Sequence, residues 1–332
     1  MIVITGGAGF IGSVIVAELN NRGIDDIIIV DSLMLTEKWK NLCGISYADY
    51  YDKSDFINKL ESGFFRANID SIIHMGACSD TMETDADYLM DNNYQYTKRI
   101  AEWRALHSTV RLIYASSAAT YGAGENGYSD NIDDIDKLRP MNMYGYSKHI
   151  FDLYAKRKGW FKDIVGLKFF NVFGPNEYHK GNMRSLINKA FPKVSEKGEI
   201  DLFRSHDSRY PDGGQMRDFI YVKDAVAMTL SFLDNEIGGL FNIGTGKART
   251  WNDLALAMFA AVSCEPKINY VDMPLNIREK YQYFTEADMS SIEKIGLSRK
   301  CMSLEAAVED YIKNYLYDGL FIEGLKPKNK KK

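Results

Sequence analysis

The chain has 332 residues, of which 45% are hydrophobic and 26% are charged, and its formal net charge at pH 7 is −4. This composition is typical of globular proteins, excludes a disordered or fibrous chain, and argues against nucleic acid as the main partner. No apolar run approaches the roughly 20 residues of a membrane span, and the first residues carry neither a basic segment nor a secretory cleavage site, so we expect a cytoplasmic protein without a membrane partner.

The first half of the chain alternates apolar runs with amphipathic segments. Near-continuous runs of Ile, Val and Leu are typical of strands buried on both faces of a parallel sheet. Such runs occur at Ile2–Thr5, Asp26–Val30, Ile45–Tyr50, Asp70–Gly76, Val110–Ser116 and Asp163–Phe170. Helical segments lie between them, at Ser13–Arg22, Lys53–Glu61, Ala86–Leu106 and Met141–Lys158. The alternation predicts an α/β fold with a Rossmann-type doubly wound parallel sheet.

After about residue 170 this regular alternation ends. Helices are predicted at Asn182–Val194, Trp251–Val262 and Leu304–Tyr317, and short strands at Asp218–Val222 and Leu240–Gly244. The polar, glycine-containing stretch Arg204–Gln215 is long for a simple connection, which makes it a candidate functional loop.

These patterns predict two domains and a tail. Residues 1–170 together with about 216–240 are expected to form a dinucleotide-binding Rossmann domain. About 171–215 and 241–325 are expected to form a smaller, discontinuous α/β substrate domain. The basic residues 326–332 are expected to be a disordered tail.

A glycine-rich turn follows the first predicted strand and opens the first predicted helix. Gly6, Gly9 and Gly12 have the spacing of a dinucleotide-binding fingerprint, in which glycines permit a tight turn, close approach of a pyrophosphate, and close packing of helix on strand. The free N–H groups at the start of the helix would face the phosphates. Asp31 ends the next strand about 20 residues later, where the fingerprint requires an acidic residue.

Residues near the second and third strands bear on the choice between NAD and NADP. Asp31 favours the ribose 2′-hydroxyl of NAD. Lys38 and Lys53 follow the second and third predicted strands, whose ends lie near the adenosine ribose in this architecture, and both could neutralise a 2′-phosphate. The residues alone therefore leave NAD and NADP open.

Two segments carry residues suited to acid–base chemistry. Tyr144 and Lys148 lie four residues apart at the start of a predicted helix, so both side chains share one face. A lysine ammonium favours the phenolate and lowers a tyrosine pKa that is normally near 10. Ser117 follows the fifth predicted strand at the edge of the sheet where ligands bind. Together, the three residues are predicted to be a proton-transfer set beside a hydride carrier.

These motifs resemble the extended short-chain dehydrogenase/reductase superfamily, most of whose members modify nucleotide-linked sugars. Within it, the chain resembles the ADP-L-glycero-D-manno-heptose 6-epimerase family. The superfamily resemblance also rests on the segments 171–175, 217–224 and 241–246. The closer resemblance rests on the segments 76–79, 90–96, 117–122, 179–183 and 281–285.

The closer resemblance implies an isomerase that inverts C6 of an ADP-linked heptose through a 6-keto intermediate. It implies one tightly bound NADP per subunit, ADP-heptose as substrate, a homo-oligomer (a homopentamer), and a product used in lipopolysaccharide core or other surface glycans. The implied catalytic residues are Ser117, Tyr144, Lys148 and, on the opposite face of the intermediate, Lys180.

The resemblance also implies two sets of binding residues. The cofactor set is Gly6, Gly9, Phe10, Ile11, Gly12, Asp31, Ser32, Lys38, Lys53, Met75, Gly76, Ala77, Cys78, Ser79, Asn92, Tyr144, Lys148, Val172 and Lys180. The substrate set is Ser117, Asn171, Asn182, Lys189, Phe203, Arg204, Ser205, His206, Arg217 and Tyr281. Within it, Arg217 suits a diphosphate because its planar guanidinium matches phosphate oxygens. Asn182 stands where many members of the family have Ser, and Lys189 stands at a sugar-contacting position that is His in some of them.

Three alternative functions remain open. A UDP-hexose 4-epimerase would use the same Ser, Tyr and Lys without needing Lys180. A 4,6-dehydratase is disfavoured because Ala118 and Ala119 occupy the segment where an Asp-Glu pair would stand. A cofactor sensor without catalysis is disfavoured because Tyr144 and Lys148 are both present. A metalloenzyme is not expected, since the four cysteines and five histidines lack metal-ligand spacing.

Overall fold

The computed structural model describes residues 1–65, 68–278 and 281–324. Its strands are β1 (Ile2–Thr5), β2 (Ile27–Asp31), β3 (Asp49–Asp52), β4 (Ser71–His74), β5 (Arg111–Ser117), β6 (Val165–Phe169), β7 (Asn171–Phe173), β8 (Ile200–Phe203), β9 (Met216–Tyr221), β10 (Gly239–Ile243), β11 (Ala248–Thr250) and β12 (Ile268–Val271). The predicted tail, residues 326–332, lies outside the described residues.

The helices alternate with these strands along the first half of the chain. They are α1 (Phe10–Asn21), α2 (Lys53–Glu61), α3 (Ala86–Leu89), α4 (Tyr96–Leu106), α5 (Met143–Arg157), α6 (Leu186–Lys197), α7 (Val222–Ser231), α8 (Trp251–Ala261), α9 (Leu275–Arg278), α10 (Ser290–Lys294) and α11 (Leu304–Tyr311). Within the described ranges, none of them is long and apolar enough to cross a bilayer.

The main sheet contains seven strands in the order β10–β6–β5–β4–β1–β2–β3 within the described part of the chain. All of its neighbouring strands run parallel. Side chains of α1 and α7 pack on one face, and side chains of α2, α4 and α5 pack on the other. The predicted doubly wound parallel sheet is therefore confirmed.

Among the residues that the structure describes, two smaller sheets lie outside the main sheet. One has the order β11–β9–β7, and the other pairs β12 with β8. Strand β10 belongs to the main sheet although it lies at the point, near residue 240, where the sequence placed a domain boundary. The division into a cofactor domain and a substrate domain otherwise stays a prediction.

Local capping explains where several helices begin. The Asp52 side chain accepts a hydrogen bond from the Ser54 N–H at 2.9 Å, which starts α2 at the predicted residue. The Ser185 side chain accepts from the Asn188 N–H, so α6 starts later than the predicted position at Asn182. The predicted helix Ala86–Leu106 contains a π-helical turn at Met90–Gln95.

A buried ion pair ties α5 to the centre of the sheet. Lys168 Nζ on β6 lies 2.9 Å from Asp152 Oδ2 on α5, and both side chains are 0% exposed. The hydroxyls of Tyr114 and Ser116 donate to the same carboxylate at 2.8 Å, and Lys168 also contacts the Thr120 hydroxyl. Buried charges require such compensation, so α5 is held in one position over β5 and β6.

We predict that Lys168→Met destabilises the protein by about 3–5 kcal/mol, because Asp152 would keep a buried charge without its cation. The matched control is Lys313→Met, which breaks an exposed pair with Glu309 and should cost no more than about 1 kcal/mol. Urea unfolding of both variants measures the difference. Equal losses would show that burial does not strengthen this pair.

Candidate active site

A cavity of about 980 Å³ lies at the carboxyl ends of β1, β4 and β5. In the strand order of the main sheet, the connections reverse direction between β1 and β4. Ligands of doubly wound sheets bind at such a switch point. The walls of the cavity come from the glycine-rich turn, the start of α5, and the segment that leads into α6.

Most residues of the predicted cofactor and substrate sets line this cavity. They are Gly6, Gly9, Phe10, Ile11, Gly12, Asp31, Lys38, Met75, Gly76, Ala77, Cys78, Ser79, Ser117, Tyr144, Lys148, Asn171, Val172, Lys180, Lys189, Phe203 and Tyr281. The predicted residues outside the described lining are Ser32, Lys53, Asn92, Asn182, Arg204, Ser205, His206 and Arg217.

The cavity also has lining residues that the sequence did not predict. They include Thr36, Asp80, Met183, Arg184, Ser185 and Trp251. Arg184 and Ser185 directly follow the segment 179–183, so their nearness along the chain was the one available signal. Trp251 starts α8, far along the chain, and only the folded structure brings it to the site.

The glycine-rich turn leaves no room for side chains. Gly6 has φ +68°, and a Cβ at this position would lie 2.7 Å from the Gly76 Cα. A Cβ at Gly12 would lie 2.1 Å from the Gly6 carbonyl oxygen. Helix α1 starts after Gly9 with no side-chain cap and no acidic residue in its first turn. The first residues of α1 line the cavity, so the positive dipole end of the helix lies at the cavity, which fits an anionic diphosphate.

The loop that follows β4, residues 75–79, is held by a buried hydrogen-bond network. The Thr5 hydroxyl accepts from the Gly76 N–H at 3.1 Å and contacts His74 Nδ1. Burial lowers the pKa of His74 to about 3, so its ring stays neutral between the hydroxyls of Thr5 and Thr97. Asn93 accepts from the Cys78 N–H at 2.8 Å and donates to the Cys78 carbonyl at 2.9 Å. The loop is thus fixed from both sides.

The polar end of the cavity pairs Asp31 with Lys38. The Asp31 carboxylate accepts from the Ala8 N–H at 3.0 Å, and its other oxygen lies 3.0 Å from Lys38 Nζ. Lys53 Nζ instead donates to the Asn92 side chain at 2.5 Å. Lys38 thus lies beside Asp31 in the cavity lining, whereas Lys53 and Asn92 lie outside the described lining.

Ser117, Tyr144 and Lys148 meet at one wall of the cavity. Burial raises the pKa of Tyr144, while a hydrogen bond with Ser117 lowers it. Lys148 Nζ donates to the Ala115 carbonyl at 2.9 Å, and burial lowers the pKa of Lys148 to about 8. The sequence predicted a lowered pKa for Tyr144. In the structure burial outweighs the other influences, and that pKa lies above its usual value.

Lys180 lies on another element of the same cavity, the 3₁₀ turn Tyr178–Met183. Its ammonium sits 5.1 Å from the centre of the Phe10 ring. Burial lowers the pKa of Lys180, the nearby Glu177 carboxylate raises it, and the Lys189 ammonium lowers it. Two groups able to exchange protons, Tyr144 and Lys180, thus reach one cavity from separate parts of the chain.

Arg217 is a buried cation surrounded by aromatic rings. It is 6% exposed, and its guanidinium carbon lies 5.1 Å from the centre of the Tyr281 ring and 5.9 Å from that of Trp251. Its Nη1 donates to the Met216 carbonyl at 2.8 Å, and it forms no ion pair among the described residues. A buried guanidinium without a carboxylate partner is suited to an anionic ligand.

The candidate loop Arg204–Gln215 folds largely onto itself. Ser205 N–H donates to Asp212 at 2.8 Å, and Arg204 lies within 3.8 Å of the same carboxylate. His206 N–H donates to the Tyr283 hydroxyl at 3.2 Å. These bonds hold the loop to itself and to Tyr283, and Phe203, the residue before the loop, reaches the cavity lining.

Comparison with known proteins agrees with this geometry. Residues 2–244 match the model of the NAD dependent epimerase/dehydratase family. A protein of Nitratidesulfovibrio vulgaris named ADP-L-glycero-D-manno-heptose-6-epimerase is 51% identical over 317 residues, which cover 95% of this chain and 98% of that protein. A protein of the same name from Fusobacterium nucleatum is 46% identical over 326 residues, with 95% and 98% coverage.

A solved structure shows the same architecture. The crystal structure of ADP-L-glycero-D-manno-heptose-6-epimerase from Helicobacter pylori aligns with a TM-score of 0.77 and 25% sequence identity. The alignment covers 94% of this chain and 95% of that one. The similarity therefore extends over nearly all of the chain and not only over the glycine-rich turn.

Proposed function

The chain belongs to the NAD dependent epimerase/dehydratase family, as predicted from its sequence, and we propose that it inverts C6 of an ADP-linked heptose. The relatives in the preceding comparison are named as that epimerase, and the alignment with this chain covers 98% of each of them. The predictions of an epimerase, and of a nicotinamide cofactor, are supported by this membership. ADP-D-glycero- and ADP-L-glycero-β-D-manno-heptose would be its substrate and product.

One observation carries the proposal: the cavity has a proton-transfer group on each of two walls. Tyr144, next to Ser117, lines the wall built by α5 and β5. Lys180 lines the wall built by the turn before α6. An epimerase acting on a carbon outside the sugar ring needs such a pair. Rotation of the side arm that brings the second face of the ketone to the nicotinamide also moves the ketone oxygen away from the first proton-transfer group.

Each side chain then has a defined task. Tyr144 takes the proton of the C6 hydroxyl, and Ser117 hydrogen-bonds the same oxygen. Lys148 is positioned by the Ala115 carbonyl and favours the phenolate by its charge. After the side arm has turned, Lys180 donates a proton to the oxygen of the 6-ketone from the opposite wall. Arg217 would bind the diphosphate beside Tyr281.

We propose NADP as the cofactor. When bound, the nicotinamide supplies reversible acceptance of the hydride from C6, and its positive charge in the oxidised form favours the Tyr144 phenolate. The start of α1 would hold the diphosphate, and Lys38 would hold the 2′-phosphate. The ion pair of Lys38 with Asp31 supports this choice, because it neutralises the carboxylate that would otherwise repel a phosphate.

Two further expectations concern the assembly of the protein and the use of its product. A homo-oligomer, specifically a homopentamer, stays a prediction from the family resemblance. The same holds for the use of the product in lipopolysaccharide core or other surface glycans.

We predict that the purified protein epimerises ADP-D-glycero-β-D-manno-heptose without added nucleotide, since no net redox change occurs and the cofactor stays bound. Proton NMR of the sugar follows the inversion at C6, and mass spectrometry of the denatured protein identifies the released cofactor. Consumption of external NADP in proportion to product would instead identify a dehydrogenase. Turnover of UDP-hexoses in preference to the heptose would favour the 4-epimerase alternative.

We predict that Tyr144→Phe and Lys180→Met each reduce epimerisation by about 10²–10⁴-fold, because a positioned acid–base group contributes that much and both are required per cycle. The controls are Tyr146→Phe, an exposed tyrosine on the same helix, and Lys197→Met, an exposed lysine on α6. Each of the two variants should still disproportionate a 6-aldehyde analogue of the sugar in part. This analogue lacks the stereocentre at C6, so it reacts from a single orientation. Near wild-type epimerisation by Lys180→Met would refute the two-group scheme.

We predict that Lys38→Ala combined with Lys53→Ala weakens NADP binding by about tenfold or more, through loss of charge-assisted bonds, while NAD binding is kept. Because Lys38 lines the cavity and Lys53 does not, the Lys38→Ala single variant should account for most of the loss. Lys40→Ala, which removes an exposed lysine of the same segment, is the control. Calorimetric titration of the cofactor-free protein measures both affinities, and equal loss for both nucleotides would show that these lysines do not read the 2′ position.

A further inference from the structure

Glu177 is a fully buried carboxylate to which the proposed reaction assigns no task. Its exposure is 0%, and it immediately precedes the turn Tyr178–Met183 that carries Lys180. It accepts hydrogen bonds from Ser185 N–H at 2.6 Å, Ser185 Oγ at 2.6 Å, Tyr311 Oη at 3.1 Å and Gly174 N–H at 3.4 Å. These donors lie on both sides of the turn and on α11.

The hydrogen bonds of Glu177 close the loop that carries Lys180. Gly174 lies at the start of this loop, and Ser185 lies at its end, as the cap of α6. Tyr311 connects the same carboxylate to α11, and its hydroxyl also accepts from Asn188 Nδ2 at 2.7 Å. The loop is therefore anchored to two helices through one side chain.

Glu177 places a carboxyl group at a position where a negative charge is costly. Burial raises the pKa of Glu177, and the donors on Ser185 lower it. No lysine or arginine forms an ion pair with it within the described ranges. A buried carboxylate without an ion pair is costly, and a neutral glutamine could accept and donate bonds at the same place. Anchoring alone therefore does not account for a carboxyl group at this place.

Lys180 is a cation on which the Glu177 carboxyl group acts electrostatically. The groups that face the Lys180 ammonium are Glu177 on its own loop, the Lys189 ammonium on α6, and the Phe10 ring on α1. Next to it in sequence, burial lowers the pKa of His179 to about 4, which keeps that ring neutral. Lys189 in turn lies near Arg184. Glu177 is thus a carboxyl group close to a cluster of cations formed by Lys180, Lys189 and Arg184.

We propose that Glu177 is a positioning residue for Lys180: its carboxylate anchors the loop to α6 and α11 and keeps the Lys180 side chain in its ammonium form inside the cavity. This role rests on the proposed function, in which Lys180 donates the proton to the 6-ketone. It extends that function by naming the group that keeps the donor charged.

Glu177→Gln separates the charge from the anchoring. The glutamine oxygen can accept from the Ser185 N–H, and its NH₂ group can donate to the hydroxyls of Ser185 and Tyr311, which are able to accept. The Gly174 N–H, whose bond is the longest of the four, loses its partner. The fold should thus be kept while the carboxylate charge is removed. Tyr311→Phe is the matched control, because it removes one donor and keeps the charge.

The first measurement is the rate at which an acetylating reagent modifies Lys180 in the holoenzyme, followed by peptide mass spectrometry from pH 7 to pH 10. Loss of a nearby carboxylate lowers a lysine pKa, so Glu177→Gln should raise the rate at pH 8 by about tenfold. The second measurement is the pH profile of kcat/KM. The ammonium form is lost as the pH rises through the pKa of Lys180, so the alkaline limb should move to lower pH in Glu177→Gln.

The control distinguishes positioning from a purely structural role. Tyr311→Phe should lower the unfolding temperature while leaving both the Lys180 modification rate and the alkaline limb as in the wild type. An unchanged modification rate in Glu177→Gln, or the same increase in both variants, would overturn the role of Glu177. A raised modification rate with an unmoved alkaline limb would support the action of Glu177 on Lys180 and overturn the role of Lys180 in the reaction, so the two failures are distinguishable.

Discussion

The ion pair between Asp152 and Lys168 determines where α5, the helix that carries Tyr144 and Lys148, lies on the sheet. Asp152 follows Tyr144 by eight residues and Lys148 by four on α5, so all three side chains lie on one face of that helix. Because neither charge of the pair is exposed, the helix cannot shift without separating two buried charges. Tyr144 and Lys148 are consequently held beside Ser117 at the end of β5.

The fold could be predicted from the sequence wherever a local pattern decides the structure. The apolar strands β1, β2, β4, β5 and β6 and the capped start of α2 are examples, since hydrophobic runs and the Asp52 cap act over a few residues. The strand predicted at Ile45–Tyr50 is an exception, because β3 is the polar segment Asp49–Asp52. Helix α7 was missed because it begins at Val222, directly after β9. A short apolar run does not distinguish the end of a strand from the start of a helix. The π-helical turn at Met90–Gln95 was missed because its side chains keep a helical pattern.

The two ends of the candidate site also differ in how far the sequence could predict them. The cofactor end follows from steric constraints within one turn, where a Cβ at Gly12 would meet the Gly6 carbonyl. The substrate end depends on contacts between distant segments. The sequence could not show that Asp212 and Tyr283 would engage the backbone of Ser205 and His206. Nor could it show that Trp251 would reach the cavity.

Two fully buried carboxylates support the opposite walls of the cavity, and they are compensated differently. Asp152 is paired with Lys168, and this pairing holds the wall of Tyr144 in place. Glu177 has hydrogen-bond donors and no ion pair in the described part of the chain, and we propose that its carboxylate acts on Lys180 instead. In the proposed reaction, a side arm that turns between the walls meets the Tyr144 hydroxyl on one and the Lys180 ammonium on the other. That scheme requires that both walls stay fixed while only the substrate moves, and each buried carboxylate holds the residues of one wall in place.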